Sequence, residues 1–292
     1  MNLVQRFINP MLSKEFRLRM RSKKTPWAIS LYLMVLGGII FTFIYLYNNN
    51  QAYFDPQRSR EIFMMLSIFQ FAMVSFVTPG LTAGTISGER ERQTLNILLT
   101  TNLSPSKIIV GKWLSSLSFM TFLVIASIPL YSIVFLYGGI SPSQLIKVFG
   151  FYIISMLAIG GLGILFSTLF KRTGVATVVT YAAIIGYTIG TYIIATIIQD
   201  ITQISSMSKT TATYWMQILY SINPFTAILS IFDEGPVVAL NYYMGGVSSR
   251  GPQLPLEPYW MFISFFSVIT LISILLAIYF IKPVKKKLLR RK

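Results

Sequence analysis

Apolar residues fall in long unbroken stretches, and neither the period-two alternation of a half-buried strand nor a one-sided helical stripe organises them. The first such stretch, Trp27 to Tyr47, reads WAISLYLMVLGGIIFTFIYLY and carries no charge. A helix rising about 1.5 Å per residue needs roughly 20 residues of this kind to cross hydrocarbon. Five more stretches qualify: Ile62 to Thr82, Trp113 to Tyr137, Val148 to Phe170, Val175 to Ile198 and Tyr259 to Ile281. Each is bounded by charge, glycine or proline. The pattern predicts an all-α integral membrane protein with six transmembrane helices.

Composition agrees. Of the 292 residues 54% are hydrophobic and 12% charged, and the mean hydropathy is +0.64, too little polar material to cover a soluble core. Some 26 polar and basic residues precede the first full-length span, unlike a cleavable secretory leader, so the N-terminus is expected to be retained. Cysteine and histidine are absent. Disulfides, thiolate nucleophiles, the usual zinc ligands and the commonest general base are therefore excluded together.

The net charge of +16 could suggest nucleic acid, but its placement argues for orientation instead. With the N-terminus in the cytoplasm, 20 of the 25 Lys and Arg lie on that side: before Trp27, in residues 83–112, at Lys171 and Arg172, and after Ile281. Most acidic residues fall on the other side, at Asp55, Glu61, Asp200, Asp233, Glu234 and Glu257. By the positive-inside rule both termini are cytoplasmic and the chain is a multi-pass protein of the cell inner membrane. A seventh stretch, Ala212 to Phe232, is apolar enough to cross, but a crossing would put the seven basic residues after Ile281 outside. Asn223 and Pro224 also break its middle. Residues 199–258 are thus expected to be an external region whose two short helices dip into the outer leaflet, with Asn223 and Pro224 as the re-entrant turn. No internal repeat or linker divides the chain, which reads as one membrane domain over residues 1–292.

Two further segments stand out. Asn9 as N-cap and Pro10 at the first position start a helix of residues 10–24. Leu12, Phe16 and Met20 line one side, and Lys14, Arg17, Arg21 and Lys24 the other; Arg19 falls on the apolar side and must snorkel or pair with Glu15 one turn back. Residues 1–26 are expected to lie on the membrane as an amphipathic interfacial helix, in contact with lipid. Residues 83–112 form a connection far longer than usual between helices. There, Thr94 to Thr101 can form a short helix bearing Leu95, Ile97, Leu98 and Leu99, preceded by Glu89, Arg90, Glu91 and Arg92. Ser104 and Pro105 start the next helix. The charge cluster suits either a protein interface or plain solvation.

No GxxxxGK[ST] phosphate loop is present; Gly111 and Lys112 are followed by Trp113. The spans carry no charge to relay protons or sodium. A membrane-embedded hydrolase lacks both a carboxylate in a span and a histidine. An energy source, if the chain needs one, must come from elsewhere; an ATP-independent channel and an assembly or sensory scaffold remain alternatives.

The blocks NPMLSKEFRLRMRS at Asn9 to Ser22, PGLTAGTISGERERQTLNILLTTNLSPSKIIVGK at Pro79 to Lys112, the Gly138-Gly139 turn and INPFTAI at Ile222 to Ile228 resemble the ABC type-2 transporter permeases. The resemblance implies that Gly88, Glu89, Arg90, Glu91, Arg92, Gln93, Thr94, Leu95 and Leu98 belong to a cytoplasmic coupling helix that docks on the ATPase. It implies two ATPase subunits beneath a pair of permeases, the second a copy or a homologue, enclosing the pathway between them. ATP would be bound by the ATPases, so the chain needs no cofactor of its own. Export is the expected direction. Aromatic and methionine residues of the second and fifth spans suit an amphiphilic cargo, but ordinary helix packing explains them equally well.

Overall fold

The computed structural model describes residues 24–48, 56–100, 104–136, 138–204, 209–236 and 257–281. The expected interfacial helix, with Glu15, Phe16, Arg17 and Arg19, lies outside the described residues. Among these residues there are helices and no strands. In chain order they are α1 (Lys24–Asn48), α2 (Pro56–Thr82), α3 (Ser87–Glu91), α4 (Leu95–Thr100), α5 (Pro105–Ala126), α6 (Ile128–Leu136), α7 (Pro142–Leu169), α8 (Thr173–Ile204), α9 (Lys209–Ile222), α10 (Pro224–Ser230) and α11 (Pro258–Ile281). Six membrane-length apolar segments run through α1, α2, α5–α6, α7, α8 and α11.

The third span departs from the sequence reading. It starts at Pro105, not Trp113, and is interrupted at Ser127 between α5 and α6. Pro129 accounts for the interruption, since it has no N–H to donate and its ring crowds the carbonyl of Ile125. The Ser127 hydroxyl accepts the Gln70 amide of α2 at 2.9 Å, so the break is tied to a neighbouring helix and does not open to lipid. Gly138 and Gly139 turn the chain with φ of 87° and 82°, a region glycine enters without steric cost. The fourth span also starts early, at Pro142, because Ser141 and Gln144 form a reciprocal capping box.

Helix α7 is the centre of the bundle and packs most extensively on α11, then on α2. Two of its glycines leave no room for a side chain: Gly160 faces Leu117 of α5 and Gly163 lies against Thr82 of α2, while Gly161 faces Thr270 and Ser273 of α11 at ordinary contact distance. Small residues at helix contacts let backbones come close where lipid gives no hydrophobic drive to associate. Above them an aromatic core joins Phe151 to Phe262, with ring centroids 4.7 Å apart, and Phe63 to Tyr131 at 5.0 Å. Buried within it, the Tyr131 and Tyr152 hydroxyls lie 2.8 Å apart, and Tyr152 donates to the Ser67 carbonyl at 3.0 Å. By contrast α1 and α8 are the least covered spans.

Candidate functional site

The connection between α2 and α5 lies at the end of the bundle where α7 gives way to α8. It forms two short helices, α3 and α4, where the sequence suggested one from Thr94 to Thr101. Helix α3 ends in a Schellman motif: Gln93 N–H donates to the Arg90 carbonyl at 3.1 Å and Thr94 N–H to the Glu89 carbonyl at 2.9 Å. The motif needs a left-handed residue, and Gln93 takes that role with φ of 59°. Helix α4 then lays Leu95, Leu98 and Leu99 on an apolar cluster with Ile86, Ile108, Ile164 and Ile274. This explains the hydrophobicity of the segment without any external partner for those three leucines.

Most of the charges preceding α4 are engaged within the chain. Helix ends have unsatisfied backbone groups, and at three ends of the junction a side chain from another element serves them. The Ser167 hydroxyl of α7 accepts the Ile86 and Ser87 N–H groups at 2.9 Å each, at the start of α3. Arg90 donates to the Thr168 carbonyl at 3.0 Å and the Phe170 carbonyl at 3.2 Å, at the end of α7. Glu91 accepts the Thr173 N–H at 2.7 Å and its hydroxyl at 2.8 Å, at the start of α8. A cation at a helix C-terminus and an anion at an N-terminus both suit the helix dipole. Gly88 lies between these contacts, close to Thr173.

Glu89 turns the other way. Its carboxylate meets the Lys112 ammonium of α5 at 3.1 Å and accepts the Thr94 hydroxyl. Both acids lie beyond the end of α2 at Thr82. Burial opposes ionisation of Glu89, but the Thr94 hydroxyl, Lys112 and the Arg92 charge outweigh it and hold the carboxyl below the usual carboxylate range. Hydrogen bonds from the Thr173 backbone and hydroxyl lower Glu91 in the same direction, with help from Arg172. The outward surface consists instead of Arg92, Gln93, Asn96 and Ile97, the last 69% exposed. Sequence reasoning missed Ser167 and Thr173, which lie some 80 residues from their partners and belong to no local pattern.

The second candidate lies toward the opposite end. Asn223 and Pro224 separate α9 from α10, and the Asn223 side chain accepts the Phe225 N–H at 2.9 Å, capping α10. Its amide donates to the Thr188 carbonyl and the Thr191 hydroxyl of α8, both at 2.7 Å. Tyr187 donates to the Ile222 carbonyl at 2.8 Å. These bonds satisfy the broken backbone inside the bundle, so the two helices form a hairpin wedged between α8, α11 and α2. Beside the hairpin, Arg60 of α2 pairs with Asp233 at 3.5 Å and donates to the Phe232 carbonyl.

Among the described residues no cluster of three or more acidic, histidine or cysteine side chains could hold a metal ion. Comparison with curated proteins finds no match to this sequence. The family model described as ABC-2 family transporter protein matches residues 10–282. That match covers nearly the whole chain, including all six membrane-length segments and the junction of α3 with α7 and α8: the chain belongs to the ABC-2 family of transporter proteins, as a membrane-spanning permease component that is not itself catalytic.

Proposed function

We propose that the chain is the permease of an ATP-driven exporter in the cell inner membrane, with both termini cytoplasmic. Two permeases, identical or homologous, flank the pathway, and two ATPase subunits dock on the connection of residues 83–112. One observation carries this reading: α3 is bonded at once to the end of α7 and the start of α8, while Arg92, Gln93, Asn96 and Ile97 face outward beside it. Docking therefore falls on those four residues, and Gly88, Glu89, Arg90, Glu91, Thr94, Leu95 and Leu98 work behind them as the rigid link. A push on the outward surface reaches α8 through Glu91. The exposed α8 is freer to move than α7, which glycine packing holds. Exposed apolar faces on α1 and α8 supply the surface for the second permease.

The absence of a phosphate-cradling loop from the sequence supports a separate source of ATP hydrolysis. The experiment is co-purification with the ATPase from the same operon, using Ile97→Asp and Arg92→Glu as docking variants. Both are expected to insert normally and lose the ATPase. Wild-type association in both would overturn the docking surface. In the same preparations, a cysteine at Ser104 should be shielded from an external impermeant thiol reagent and one at Ser143 should label. The reverse pattern would overturn the orientation.

A further inference from the structure

A cavity of about 340 Å³ lies between α7, α8 and α11, within the range of small-molecule sites. Its walls include Leu162 and Leu165 of α7, Ala183 and Ile184 of α8, and Ile272 and Leu276 of α11, and Pro224 of the hairpin closes its far end. The lining is almost wholly hydrocarbon, so water gains nothing by entering. Along α11 it runs from Phe266 to Leu276, about 15 Å at 1.5 Å per residue. That is half of the roughly 30 Å hydrocarbon core, the depth of one leaflet.

Beyond the near end of the cavity, α7 and α8 are joined by the connection that holds Lys171 and Arg172, both exposed. Leu165 lies about one turn inside the end of α7 at Leu169, and Lys171 follows that end by two residues. Arg90 and Glu91 are close by but committed to the ends of α7 and α8, which leaves a net positive mouth. On α8, Val178, Ile185 and Ile189 lie on the side away from the cavity, so a permease partner bound there leaves the cavity accessible.

We propose that this cavity binds one anionic phospholipid, an acyl chain filling the apolar slot and the phosphate meeting Lys171 and Arg172. The proposal rests on the membrane placement of the chain and not on its ATPase partnership. The test is native mass spectrometry of the delipidated permease offered phosphatidylglycerol and phosphatidylcholine. One phosphatidylglycerol should be retained in preference. Each basic residue near an anionic surface contributes enough that Lys171→Gln should weaken retention about five-fold, and Lys171→Gln with Arg172→Gln about thirty-fold. Ala183→Phe fills the slot and should abolish retention, while Val178→Phe should not change it. Equal retention of the two lipids overturns the proposal, as does unchanged retention in Ala183→Phe. The basic residues are exposed, so their variants test the idea even if Ala183→Phe fails to fold. Loss of ATPase association alone leaves this result unaffected.

Discussion

Substitutions at Glu89 and Lys112 should be asymmetric, and the asymmetry follows from their burial. The pair is 3.1 Å apart, with the Lys112 side chain 6% exposed and that of Glu89 32% exposed. Glu89→Gln takes the carboxylate from a nearly buried ammonium. Removing one partner of a fully buried pair costs about 3–5 kcal/mol, and partial access of water to Glu89 brings the figure down to about 2–3 kcal/mol. Lys112→Met keeps the stem that packs in α5 and leaves a carboxylate that still reaches water and the Thr94 hydroxyl. Its cost should be about 1 kcal/mol. The double variant removes both partners at once and should cost less than the sum of the singles by about 1–2 kcal/mol. Thermal unfolding in detergent reads this as a drop of roughly 4–10 °C for Glu89→Gln and a smaller drop for Lys112→Met. Equal shifts for the singles, or a double variant additive within about 0.5 kcal/mol, would refute the reasoning, because the pair would then be merely solvated.

Two neighbouring glycines of α7 should differ as sharply. A Cβ on Gly163 would collide with the Thr82 hydroxyl, whereas one on Gly161 would sit 3.5 Å from Ser273; Gly163→Ala should cost about 1–3 kcal/mol, and Gly161→Ala should leave the unfolding temperature unchanged or slightly raised. At the end of α3, Gln93→Gly should be neutral or stabilising because φ there is 59°, while Gln93→Val should cost about 1–2 kcal/mol in the same assay.

The spans and the hairpin turn were legible because both are local: a run of 20 apolar residues has one affordable fate in lipid, and Asn-Pro inside such a run breaks a helix. The third span was read too simply. Pro129 sits where a proline ends one helical segment and starts another, and a hydropathy scan does not register it. The start of α7 was missed for a related reason, since the Ser141–Gln144 box and Lys147 lie before the apolar run. The junction was legible as a segment but not as a set of bonds. Glu89, Arg90 and Glu91 read as surface charges because Lys112, Thr168 and Thr173 approach them only in the folded bundle. The three leucines of α4 were likewise legible as apolar but not as packed, since α5, α7 and α11 cover them only in the folded bundle.

The extensive packing of α7 on α11 bears on how the protein is made. Helix α11 follows the other five spans in the chain, so the glycine face at Gly161 waits without its partner through the synthesis of more than a hundred intervening residues. The hairpin of α9 and α10 emerges in that interval with only α8, α7 and α2 to receive it. Its broken backbone and the Asn223 amide are satisfied by Tyr187, Thr188 and Thr191 of α8. Assembly of the bundle interior therefore waits for α11, and a chain shortened before Pro258 should be an early substrate for membrane proteases even though the five spans before it are intact.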